Sequence, residues 1–199
     1  MSDPMRPIRF ILFSILLQRP FRGLLDCLWD EGMSMNDWGR HLAVAKNRLM
    51  RWGGMAVEPG AFLASGIQVT LPSQCNIWVN TGSFIGKNCF FGNQAPITLG
   101  RGCLVANDVR FLTASHRTED LVYEAKPVTV GDGVWIGAGA LILPGVCVGR
   151  GCIVGAGSVV TKDLPEFTVC VGNPCRPVRT RALPVRQNMV DGRPLTFEA

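Results

Sequence analysis

His41 and His116 are the only two histidines of the 199-residue chain, and imidazole is the side chain that ordinarily exchanges protons near neutral pH. Such a group can act as general base toward a hydroxyl or amine nucleophile. Two histidines are too few for a three-histidine zinc centre. The cysteines Cys27, Cys75, Cys89, Cys103, Cys147, Cys152, Cys170 and Cys175 form no CxxC pair, which leaves out a zinc ribbon and a thioredoxin-type dithiol. Judged on its local string TASHRTED alone, His116 would be an ordinary histidine of a surface loop. His41, far upstream, has no motif around it.

A net charge of +5 is mild, with cations gathered near residues 6–22 and 176–186. That pattern suits an anionic small molecule better than a nucleic acid. Nothing in the sequence predicts a transmembrane helix. The apolar run Ile8–Leu17 falls short of the ~20 residues a spanning helix needs. It reads as a packed helix, or as an interfacial anchor with cationic flanks that would give peripheral membrane contact.

The elements that must position these groups are set by a period of six. From Val130 each hexad opens with an aliphatic residue: Val130, Ile136, Ile142, Val148, Val154 and Val160. The fifth place is small or aliphatic: Val134, Ala140, Val146, Cys152, Ser158 and Leu164. Glycine follows the opener at Gly131, Gly137, Gly149 and Gly155, where it is expected to allow corner conformations closed to residues with a β-carbon. Each hexad then makes one short strand and one corner, and three close a triangular coil of 18 residues. The openers point inward and stack into a continuous column.

The register continues upstream through Val79, Ile85 and Phe91, then Leu99, Val105 and Phe111. A bulge lies between Phe91 and Leu99, and a looser coil begins near Val57, Leu63 and Val69. The step of 19 from Phe111 to Val130 predicts a loop near 117–127 thrown out of the coil, with His116 as the last coil residue before it. Cys89, Cys103 and Cys152 take the small fifth place and read as reduced core fillers. The expected organisation is a helical N-terminal segment over 1–55, a β-helix over 56–180 and an extended tail over 181–199. Reduced cysteines suit a cytoplasmic protein.

The run VTVGDGVWIGAGALILPGVCVGRGCIVGAGSVVTKDLP, followed by VCVGNPCRPVR, resembles the hexapeptide-repeat acyltransferases. It is most like their sugar and polysaccharide O-acetyltransferases of the galactoside, maltose and colanic-acid type. With the earlier hexads the resemblance covers about residues 52–180. It implies a mainly β fold, the left-handed parallel β-helix, assembled as a homotrimer with active sites between subunits. It implies acetyl-CoA as co-substrate, no metal, and a saccharide-like acceptor, as in polysaccharide biosynthesis. By the same resemblance His116 is the general base.

The resemblance also places coenzyme A against Trp135 as a groove wall and against Ala138, Ala156, Thr161 and Lys162, with Arg176 and Arg179 toward its phosphates. The Ala138 amide would meet the thioester oxygen as oxyanion charge develops. Glu119 and Asp120 are candidates to orient the imidazole. An Asn that serves the acceptor in the galactoside and maltose enzymes has no counterpart at Gly86, which leaves Asn93 and Gln94 as candidates and favours a larger glycan acceptor. The alternatives are N-acetylation of an amino sugar or other amine, acetylation of an antibiotic, and a trimeric structural coil without catalysis.

Overall fold

A β-strand followed by a corner every six residues is what the computed structural model shows. It describes Met50, residues 55–71, Gln74 and residues 76–181, and the backbone of 185–190 and 193–197. Apart from Met50 and Met55, the expected helical N-terminal segment over 1–55 lies outside the described residues, Ile8–Leu17 and His41 with it, as do Cys27 and Cys75. No helix among the described residues is long and apolar enough to cross a membrane.

The first coil carries β1 (Ala56–Val57), β2 (Phe62–Leu63) and β3 (Gln68–Val69), and the second β4 (Ile77–Val79), β5 (Phe84–Ile85) and β6 (Phe90–Gly92). The third holds β7 (Ile97–Leu99), β8 (Leu104–Val105) and β9 (Arg110–Leu112). After an excursion formed by β10 (Ala114–His116) and β11 (Tyr123–Ala125), the fourth coil runs through β12 (Val128–Val130), β13 (Trp135–Ile136) and β14 (Leu141–Ile142). The fifth uses β15 (Cys147–Val148), β16 (Ile153–Val154) and β17 (Val159–Val160). Leu164 bridges to Val148 and opens a further turn, which leads into β18 (Thr168–Val171), β19 (Arg176–Thr180) and the hairpin of β20 (Val185–Val190) and β21 (Arg193–Phe197).

Three faces result, each a parallel sheet built from every third strand. The first face has the order β1-β4-β7-β12-β15, and the third β17-β14-β9-β6-β3. The second is longer, β19-β18-β16-β13-β8-β5-β2, because β19 folds back antiparallel on β18. The NPCRPVR segment thus contributes to a hairpin on this face.

The column of openers is the core. Val79, Ile85, Phe91, Leu99, Val105, Phe111, Ile136, Ile142, Val148, Val154 and Val160 are all fully buried. Phe91 and Phe111 stack across one coil step with centroids 5.1 Å apart. The small fifth places fill the corners beside them, with Cys89, Cys103 and Cys152 fully buried and free.

The glycines do two jobs at two different places, where one was expected. Positive φ falls on the fourth place, at Gly133, Gly139, Gly145, Gly151 and Gly157, and Asn88 and Asp108 adopt it in earlier coils. The second-place glycines instead permit close approach of the coils. A β-carbon on Gly131 would sit 2.7 Å from the Arg150 nitrogen, and one on Gly149 2.5 Å from that of Glu166.

Corner amides point along the axis, and polar side chains of the next coil meet several of them. The Lys87 amide donates to Asn107 Oδ1 (2.9 Å), that of Arg101 to Asp132 Oδ1 (2.8 Å) and that of Cys147 to Asp163 Oδ1 (2.8 Å).

Candidate functional site

The excursion after β9 is an antiparallel hairpin arm. Its base is pinned by Thr113, which is fully buried, donates its hydroxyl to the Gly92 carbonyl (2.6 Å) and accepts from the Ala95 amide (2.8 Å). The Lys126 amide returns to the Thr113 carbonyl (2.7 Å), so the arm leaves and rejoins the coil at one corner. Between these points Ala114 pairs with Ala125, Ser115 with Glu124 and His116 with Tyr123. The tip closes through Arg117 and Val122, with Leu121 at a φ of 57°. His116 therefore stands on the first strand of the arm, not at the end of the coil before a loop.

A cleft of about 420 Å³ lies between this arm and the corner joining the third face to the first. Ser115, His116, Arg117, Thr118, Glu119, Glu124 and Lys126 line it from the arm side, and Leu143, Pro144 and Thr161 from the coil. The structure thus brings His116 and Thr161 to one cavity, with Lys162 next in the chain and exposed.

Neither proposed orienting carboxylate is turned to the imidazole. Asp120 forms a two-pronged pair with Arg117 and caps the Val122 amide. Glu119 accepts from Thr118, and its own backbone amide and that hydroxyl hold its carboxyl below the usual range. Glu124 pairs with Lys126 at 2.6 Å and faces Arg117 at 3.6 Å. The arm's polar groups are largely bound to one another, so the side chain set against His116 is Tyr123, with ring centroids 5.7 Å apart at 73°.

The other expected donor-site residues form a second group on a different edge of the triangle. Ala138 and Ala156 occupy the corner between the second and third faces, one coil apart, and the Gly157 amide donates to the Ala138 carbonyl (2.8 Å). Both are exposed. The residue above Ala138 is Ala156, which brings no acceptor side chain, unlike Asn107 above Lys87.

Trp135, 46% exposed, belongs to a row on the second face that continues in register through Ile153 and Val169 to Arg179. Three strand spacings of ~4.8 Å put Arg179 about 14 Å from Trp135. Arg176 lies on the same strand opposite Val171, and both arginines are exposed. Anionic groups would meet them there.

Asn93 and Gln94 are not brought to the cleft. Asn93 is buried, and its amide is fully used: it accepts from the Leu71 amide (2.8 Å) and donates to the Leu71 carbonyl (2.9 Å) and to Asn76 Oδ1 (2.8 Å). Its work is to tie Leu71 and Asn76 to the bulge. Gln94 is half-buried beside it. At Gly86 an added β-carbon would lie 2.6 Å from Asn107 Oδ1 and 2.7 Å from its nitrogen, so that place admits no side chain in this arrangement.

Comparison with known proteins fits this geometry. The family model described as bacterial transferase hexapeptide (six repeats) matches residues 127–162, and that described as hexapeptide repeat of succinyl-transferase matches residues 83–109. Nodulation protein L of Rhizobium leguminosarum bv. viciae is 36% identical over 135 residues, 63% of this chain and 71% of that protein. A Saccharomyces cerevisiae protein carrying an acetyltransferase name is 39% identical over 110 residues, which are 52% of this chain. The chain spans just over half the length (56%) of that relative.

Among solved structures, the maltose O-acetyltransferase of Clostridium difficile 630 superposes with a TM-score of 0.69 at 27% identity, covering 91% of this chain and 90% of that one. A hexapeptide-repeat-containing acetyltransferase of Vibrio cholerae, complexed with acetyl coenzyme A, gives a TM-score of 0.64 at 26% identity, covering 81% and 85%. With the period of six, the stacked coils and a relative matched over more than two thirds of its length, the chain belongs to the hexapeptide-repeat acetyltransferase family.

Proposed function

We propose that the protein transfers an acetyl group from acetyl-CoA to a hydroxyl of a saccharide or polysaccharide precursor, with His116 as general base. The observation that carries this is the cleft in which His116, on the arm, faces Thr161, on the coil. The acceptor oxygen would give up its proton to the imidazole as it bonds to the thioester carbon. Collapse of the adduct breaks the carbon–sulfur bond, and the imidazolium returns the proton to the departing sulfur. The oxyanion formed between these events is the charge that a corner amide such as that of Ala138 can meet.

The division of the site supports a trimer. His116 and Thr161 share one corner, whereas Trp135, Ala138, Ala156, Arg176 and Arg179 lie on the second face and its corner. One chain therefore holds the base and the donor strip on different edges of the triangle. A neighbouring copy that sets its second face against the arm would join them, and acetyl-CoA would lie in the seam. The free cysteines suit a reducing compartment such as the cytoplasm.

Incubation with labelled acetyl-CoA and a panel of saccharides, amino sugars and antibiotics tests the reading. Label carried to a saccharide as an alkali-labile ester is the expected result. Label appearing only on amines as a stable amide would replace it with N-acetylation, and no turnover on any acceptor would leave a coil without catalysis.

A further inference from the structure

We infer that Tyr123 is the positioning residue of His116: the paired register of the arm's two strands sets the tyrosine ring against the imidazole, and this contact selects the rotamer in which the base can work. The inference rests on the reading of His116 as base.

Three observations carry it. His116 and Tyr123 are direct cross-strand partners on β10 and β11, so their side chains emerge on the same side of the arm. Their rings meet edge to face, 5.7 Å between centroids and 73° between planes, an arrangement favoured by the ring quadrupoles. The carboxylates near enough in sequence to replace that contact are engaged elsewhere, Asp120 with Arg117 and the Val122 amide, Glu119 with Thr118, and Glu124 with Lys126.

An exposed histidine on a hairpin otherwise samples several χ1 wells, and only a fraction of them present a ring nitrogen to the cleft. The backbone beneath the pair is fixed, because the buried Thr113 and the Lys126 amide lock the root of the arm. What remains free is the imidazole torsion, and that is what an adjacent ring can restrict. Tyr123 is itself 54% exposed, so a substitution there removes the ring contact without opening the core.

The test uses the full chain with ¹³C-labelled histidine. It has two histidines, and His116→Gln assigns the signals of His116 by their disappearance. In the wild type the His116 ring signals are expected to carry a ring-current displacement. Tyr123→Phe should keep it and keep kcat within about twofold, whereas Tyr123→Leu should abolish it and lower kcat roughly 10-fold with the KM for acetyl-CoA unchanged.

Unchanged His116 signals in Tyr123→Leu would overturn the inference. So would a Tyr123→Phe variant as slow as Tyr123→Leu, which would assign the role to the hydroxyl, or a loss confined to KM. The two readings fail separately. An inactive His116→Ala beside a fully active Tyr123→Leu sinks the positioning role alone. A fully active His116→Ala sinks the base, and the catalytic meaning of the ring contact with it.

Discussion

Gly137 lies directly beneath the Ala156 backbone: a β-carbon there would stand 2.5 Å from the Ala156 nitrogen and 2.8 Å from its α-carbon. Neither atom belongs to a side chain that can swing aside, so Gly137→Ala must pry two coils apart. The neighbouring Gly139 offers the opposite case, with a φ of +68° and open space around its absent β-carbon. Gly137→Ala is expected to cost about 3 kcal/mol, at the upper end for overpacking, and Gly139→Ala about 1 kcal/mol, from backbone strain alone. Urea unfolding of the two variants checks the order. Equal losses would mean that both positions are governed by φ.

The buried Asn93 carries a second prediction. Its amide binds both polar groups of the Leu71 backbone and Asn76 across the bulge. Asn93→Leu leaves those partners unsatisfied and should lower stability by about 2–4 kcal/mol. The KM for any acceptor should stay the same at temperatures where the variant is folded. A selective rise in acceptor KM without loss of stability would return Asn93 to the role of a substrate ligand.

How much of this was legible beforehand differs by residue. The core column could be read from Val130 to Val160 because a buried opener every six residues is a local pattern, and each of those side chains is inside. The second-place glycines were legible as a rule but not in their reason, since the clash at Gly137 involves a residue one coil away. The clamp at Asn93 was hidden for the same cause: its partner Leu71 is 22 positions distant. His116 was singled out by the family resemblance, at its place before the interruption. The hairpin that carries it was not, because ASH and YEA are too short and too polar to announce strands. What the period could not show is the arm that carries His116 beside the corner of Thr161.

Buried thiols give a pH prediction. Burial pushes the Cys89 thiol from its ordinary 9.0 up to about 11, and the Cys103 and Cys152 thiols up to about 12. Between these values the unfolded chain releases protons that the folded chain retains. Stability present below pH 9.0 is therefore lost as pH rises toward 11–12. Urea midpoints measured from pH 8 to 10.5 should fall, and Cys103→Val should fall less steeply than wild type. Parallel slopes would show that this thiol does not contribute.

The last prediction separates the base from the donor strip. His116 lines the cleft from the arm, whereas Arg179 ends the row that runs through Trp135 on the second face. His116→Ala should lower kcat by roughly 10²–10⁴-fold, the range for loss of a positioned general base, with little change in the KM for acetyl-CoA. Arg179→Ala should do the reverse, raising that KM with a smaller effect on kcat, because its charge would hold the donor in ground state and transition state alike. Lys162→Ala, beside Thr161 but exposed, is expected to follow Arg179→Ala. Initial rates at varied acetyl-CoA and fixed acceptor give both parameters. A His116→Ala enzyme with near-normal kcat would reduce His116 to a surface histidine. An Arg179→Ala enzyme that loses kcat alone would place this arginine at the reacting groups instead of the phosphates.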